Sequence, residues 1–227
     1  LSAVSLAFCG PLFDVLEIDG FGLHLRGPSS CGKSTALIAA TSVWGAPERM
    51  SSWRTTANAL EGTATRMNST LLALDELGQV SGKDAFDAAY TLGNGQGKRR
   101  ANASGHSVEP MNWRVPVLSS GEITLAEKVA ESGLKIMAGQ EVRIIDIAAD
   151  TGKFGVFDDV HDMASGALFS EDLKDSAKSV YGIAGAVFVE ACLRNRADLK
   201  DAVQRQLSAQ TKLFLSMLPG PLDGPLQ

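Results

Sequence analysis

Gly27-Pro28-Ser29-Ser30-Cys31-Gly32-Lys33-Ser34-Thr35 fits the pattern G-x-x-x-x-G-K-[ST] without a gap. Glycines in such a turn let backbone N–H groups converge on phosphate oxygens. A helix beginning there adds partial positive charge at its N-terminus. Gly27, Ser30, Gly32, Lys33, Ser34 and Thr35 are therefore the expected phosphate-binding residues. Lys33 would reach the β- and γ-phosphates of a nucleoside triphosphate, and the Ser34 hydroxyl would ligate Mg²⁺. The expected ligands are ATP and Mg²⁺.

Asp75-Glu76 closes the apolar run Thr70-Leu71-Leu72-Ala73-Leu74. Asp75, at the end of a buried strand, is placed to hold Mg²⁺ through water. Glu76 is placed to polarise an attacking water. A phosphate-transferring kinase does not need that glutamate, and the Asn-Lys-x-Asp motif by which GTPases read their base is absent. Ser119 and Ser120 end another apolar strand. A polar side chain there suits either contact with a γ-phosphate or lytic water, or a turn or helix cap. Arg143 opens a later strand. It suits either charge on a transferring phosphoryl group, supplied from an adjacent subunit, or an exposed strand edge. Lys98-Arg99-Arg100 is a tight basic cluster beside a segment carrying His106. These four are the expected nucleic-acid contacts; the competing reading is a solvated charged face.

The elements that must position these residues are those of an α/β domain. A strand over 21–26 precedes the glycine-rich turn, and a helix follows it to about Trp44. A short strand at 50–54 comes next, then a helix over 57–67 capped by Thr56. The run at 70–74 suits a strand buried on both faces of a parallel sheet. A helix over 83–92 ends at Gly93-Asn94-Gly95, and Lys98 to Arg114 reads as a hairpin or extended loop. Val115 to Leu118 is a third buried strand. Thr124-Leu125-Ala126-Glu127 is a capping box, and Val142 to Ile147 is a β-branched strand. At the chain's start, residues 1–9 read as a helix ended by Gly10-Pro11. Near its end, an apolar stripe from Leu173 to Ala191 and another from Leu199 to Met217 predict two long helices.

The chain's 227 residues carry a net charge of −5, which counts against DNA contact by the whole surface but leaves room for a local basic loop. No apolar run reaches the ~18 residues a membrane span needs, so no membrane contact is expected. Cys9, Cys31 and Cys192 are unpatterned, which points to a reducing cytoplasm and no zinc site. Leu1 to Cys9 lacks a basic n-region and reads as a helix cut from a longer polypeptide.

Taken with Ser42-Val43-Trp44-Gly45, Leu74-Asp75-Glu76-Leu77-Gly78, Leu92-Gly93-Asn94-Gly95-Gln96-Gly97-Lys98 and Leu118-Ser119-Ser120-Gly121-Glu122, the glycine-rich turn resembles an ATPase domain of uncharacterised function. That family occurs in bacterial, phage and mobile-element proteins, often behind a primase-type domain. The similarity covers roughly residues 1–150. The motif order is also similar to superfamily-three viral replicative helicases. The resemblance implies a three-layer αβα P-loop NTPase core, RecA/AAA+-like, with a mostly parallel central sheet. It implies a homo-oligomeric, hexameric ring around single-stranded or forked DNA. It places a DNA-reaching hairpin near Lys98 to His106, an arginine finger at Arg143 and a sensor at Ser120, where those helicases usually carry Asn. The expected organisation is an ATPase core over 1–150, a helical subdomain over 151–218 and a flexible tail over 219–227. The expected function is Mg²⁺-dependent ATP hydrolysis driving DNA unwinding or translocation. The alternative is an ATP-dependent switch or scaffold acting on protein partners.

Overall fold

The computed structural model describes residues 1–101, 106–135 and 143–218. The expected tail at 219–227, the turn residues 102–105 and Val142 lie outside them. In chain order the elements are α1 (Ser2–Leu16), β1 (Gly22–Arg26), α2 (Lys33–Thr41), β2 (Ser51–Ser52), α3 (Ala57–Arg66), β3 (Leu72–Asp75) and α4 (Gly82–Asn94). They continue with β4 (Arg100–Ala101), β5 (Ser107–Val108), β6 (Val117–Gly121), α5 (Leu125–Ala130) and β7 (Ile144–Ala148). Three helices follow: α6 (Gly166–Ser179), α7 (Ile183–Arg194) and α8 (Arg196–Met217).

Five strands form one parallel sheet in the order β2-β3-β6-β1-β7. The period-2 alternation of each strand sends side chains to opposite faces. Leu72, Leu74, Val117 and Ile144 enter a core with residues of α3, α4 and α5. Leu25, Ala73 and Leu118 enter a second core with residues of α1 and α2. The result is the expected three-layer αβα arrangement. β4 and β5 pair antiparallel as a separate hairpin. Its base is fixed from inside: Glu61 of α3, fully buried, accepts from the Lys98 N–H at 3.3 Å and the Arg100 guanidinium at 2.7 Å.

The chain divides into two compact units, Leu1–Phe188 and Val189–Gln227. Among the described residues no single helix is long and apolar enough to cross a membrane.

Two expected helix ends are corrected. Gly10-Pro11 does not stop α1, which runs on to Leu16. A proline inside a helix orphans the carbonyl four residues back, here that of Ala7. The Trp44 indole N–H donates to that carbonyl at 2.7 Å, so the helix continues through the proline. The apolar stripe from Leu173 is broken at Ser179, giving three C-terminal helices instead of two. Gly182 adopts φ 77°, and the N–H groups of Gly182 and Gly185 donate to the Ser42 and Val43 carbonyls at 2.7 and 3.0 Å. These bonds to the end of α2 replace continued helix. Trp44→Phe keeps an aromatic ring but strands the Ala7 carbonyl. It should cost about 1–3 kcal/mol, and a calorimetric scan should show the midpoint falling by about 2–4 °C for each kcal/mol lost.

Candidate functional site

The turn between β1 and α2 lines a cleft of about 1050 Å³ with the tips of β3 and β6. Gly32 has φ 94°, and a Cβ there would stand 2.8 Å from the Val156 side chain, so glycine is required. Ser30 also has positive φ, at 63°. The Lys33 ammonium is folded onto its own loop, donating to the carbonyls of Gly27 at 2.8 Å and Pro28 at 2.6 Å. Pro28 to Thr35 line the cleft; Gly27 does not, and enters only through its carbonyl.

β6 lies between β1 and β3, and this order brings the polar residues together. The Ser34 hydroxyl donates to Asp75 Oδ1 at 3.3 Å. The Ser120 hydroxyl donates to the same oxygen and accepts from the Glu76 N–H at 3.3 Å. Ser34 and Ser120 thus converge on the Asp75 carboxylate, and the three side chains make an oxygen-donor set that suits a hard cation sharing a phosphate ligand. Glu76 is not the last residue of a strand, as its sequence position suggests. It turns into the left-handed region (φ 61°, ψ 63°) and opens a 3₁₀ turn at Leu77–Gln79. A non-glycine residue held there is strained by about 1–3 kcal/mol. The turn leaves its carboxylate exposed in the cleft, where the Gln79 amide donates to it.

The other expected residues are placed differently. Thr35 is buried, and its hydroxyl shares a 2.5 Å hydrogen bond with Ser170 of α6. Arg143 stands before β7, at the far end of the strands from the glycine-rich turn, and bonds Asn94 at 2.7 Å. It does not line the cleft of its own chain. Lys98, Arg99, Arg100 and His106 sit on the hairpin, away from the cleft. Lys98, Arg99 and His106 are exposed, whereas Arg100 is engaged by Glu61 and Asn58.

Three features have no counterpart in the sequence reading. Lys128 is buried at the cleft, donating to the Gly78 carbonyl at 3.1 Å and pairing with Glu131 at 2.8 Å. The loop after β7 packs on the glycine-rich turn. Behind the strand tips, Trp53, Ser119 and His24 form a buried hydrogen-bonded chain. His24 Nε2 lies 3.0 Å from the Ile123 carbonyl, which can only accept, so Nε2 carries the proton. Nδ1 then accepts from the Ser119 hydroxyl at 2.8 Å, and Ser119 accepts from the Trp53 indole at 2.7 Å. A histidine inside an apolar strand was the one available hint.

A family profile described as a domain of unknown function (DUF927) matches residues 1–112, from α1 through the hairpin. Among curated proteins none matches significantly. A solved structure of the SCCmec type IV Cch active helicase aligns with 98% of this chain at a TM-score of 0.72 and 24% identity. The chain spans 38% of that protein's length. At that identity the likeness shows the fold, and function has to be argued from the site.

Burial pushes the His24 imidazole below its ordinary pKa of 6.5, since the charged form loses solvation. The unfolded chain therefore binds this proton more readily than the folded one. The contribution to stability is complete above pH 6.5 and is lost as pH falls through the lowered folded value. His24→Asn should flatten the decline in melting midpoint between pH 6.5 and 5, measured against the parent chain.

Proposed function

We propose that the chain is the motor core of an Mg²⁺-dependent ATPase that unwinds or translocates along DNA. The observation that carries the proposal is the convergence of the Ser34 and Ser120 hydroxyls on Asp75, facing the glycine-rich turn across one cleft. In this reading the backbone N–H groups of residues 29–33 cradle the phosphates. Lys33 exchanges the Gly27 and Pro28 carbonyls for β- and γ-phosphate oxygens. Asp75, through water, and the Ser34 hydroxyl would hold Mg²⁺, which would neutralise charge on those oxygens. Ser120 holds Asp75 in place and stands beside the γ-phosphate position. Glu76 takes the proton of the water that attacks phosphorus in line, and ADP leaves. Its left-handed backbone supports this role, because it lifts the carboxylate off the strand axis into the cleft.

The shared fold with an active helicase supports DNA as the partner, with Lys98, Arg99 and His106 on the hairpin as contacts. Arg100 serves the hairpin's base as much as any ligand. Arg143, remote from its own cleft, acts in this reading on the nucleotide of a neighbouring subunit in a ring. The second reading, a switch acting on protein partners, draws on the same Arg100–Glu61 pairing, which removes one cation from the basic cluster.

Lys33→Ala should abolish steady-state phosphate release. Glu76→Gln should keep nucleotide binding while lowering kcat by about 10²–10⁴-fold. A Lys33→Ala protein that still turned over ATP would end the catalytic assignment. Single-stranded DNA should accelerate hydrolysis, with the effect lost in a Lys98→Ala/Arg99→Ala double variant. Hydrolysis indifferent to DNA, with nucleotide-dependent capture of a protein, would favour the switch. Arg143→Ala subunits mixed into parent assemblies should depress activity more than in proportion to their share.

A further inference from the structure

The direction of a nucleotide in the cleft follows from the strand order. Asp75, Ser120 and Glu76 lie on the β3 and β6 side of β1, whereas β7 lies on the other side. A triphosphate on residues 29–33 whose terminal phosphate meets Asp75 and Ser34 must send its nucleoside toward β7. On that side the cleft wall is the loop after β7 and the start of α6, including Lys153, Phe154, Phe157 and Ala167.

This loop is seated on the glycine-rich turn with little freedom. The Val156 N–H donates to the Cys31 carbonyl at 2.7 Å. Gly155 has φ 68°, and any Cβ there would run into that same carbonyl. The Thr151 N–H donates to the Gly155 carbonyl at 2.8 Å, closing the loop. Of its two rings, Phe157 is already committed: it packs on Gly32 and meets Phe169 edge-on with centroids 5.0 Å apart. Phe154 is half-buried and lines the cleft, with the Lys153 ammonium 4.8 Å from its ring centroid. The cleft volume exceeds the need of phosphates alone and matches a whole bound cofactor.

We propose that Phe154, steadied by Lys153, is the nucleobase wall of the cleft and stacks the purine ring of the bound nucleotide. The inference rests on reading the cleft as a nucleotide site. Stacking on an aromatic ring adds affinity for a base without touching the phosphates, so base and phosphate contributions separate cleanly.

The test compares Mg·ADP with Mg·pyrophosphate by equilibrium titration of the full chain. The parent should bind ADP more tightly than pyrophosphate by about tenfold or more. Phe154→Ala and the better-packed Phe154→Leu should each weaken ADP by about tenfold while pyrophosphate stays within about twofold, and Phe154→Tyr should restore ADP binding. Unchanged ADP affinity in both variants, or pyrophosphate affinity falling in step with ADP, overturns the proposal. Failure of the underlying reading looks different: the parent chain binds neither Mg·ADP nor Mg·pyrophosphate, or binds both with affinities that Lys33→Ala leaves unchanged.

Discussion

One carboxylate oxygen of Asp75 accepts from two hydroxyls, that of Ser34 at the start of α2 and that of Ser120 on β6. The three residues come from three elements, and they meet only because β6 is inserted between β1 and β3. Parallel pairing sets the strand tips level: Leu25 stands opposite Ser120, and Leu74 opposite Ser119. A one-residue slip of β6 would exchange the two serines between core and cleft. The adjacent Ser119 shows what register achieves, since its hydroxyl faces inward to Trp53 and His24 while Ser120 faces the carboxylate.

Behind this cluster the polar groups are matched one to one. Trp53 donates to Ser119, Ser119 to His24 and His24 to the Ile123 carbonyl. Each donor has a single acceptor, so the chain has one direction and one imidazole tautomer. Burial makes an unmatched member costly, which is why such a network specifies a strand arrangement more sharply than apolar contacts do. The backbone N–H of Trp53, distinct from its indole, donates to the Asp75 carbonyl at 3.0 Å. The network is thereby joined to the backbone of the residue that the cleft depends on.

The hairpin obeys a similar logic at a distance from the cleft. Glu61 is fully buried, and its carboxylate is satisfied by the Arg100 guanidinium and the Lys98 N–H. Gly97 permits this approach, since a Cβ would stand 2.7 Å from Glu61 Oε2. Removing Arg100 would leave the buried Glu61 carboxylate poorly compensated. The base of the hairpin is thus tied to α3, and part of a basic cluster is structural.

Local pattern in the sequence determined a good deal. The glycine-rich turn, the strand ending at Asp75, the Thr56 and Thr124 caps and the buried strands were legible, because each depends on neighbours within a few residues. Pairings between distant residues were not. Thr35 fits the phosphate pattern, yet its hydroxyl is shared with Ser170; Pro11 reads as a stop, yet Trp44 satisfies the carbonyl it orphans. Lys128 belongs to no motif and is buried at the cleft, and the loop carrying Phe154 has no motif either. Strand order and side-chain pairing across the sheet are properties of packed layers, and local periodicity carries no record of which strands become neighbours.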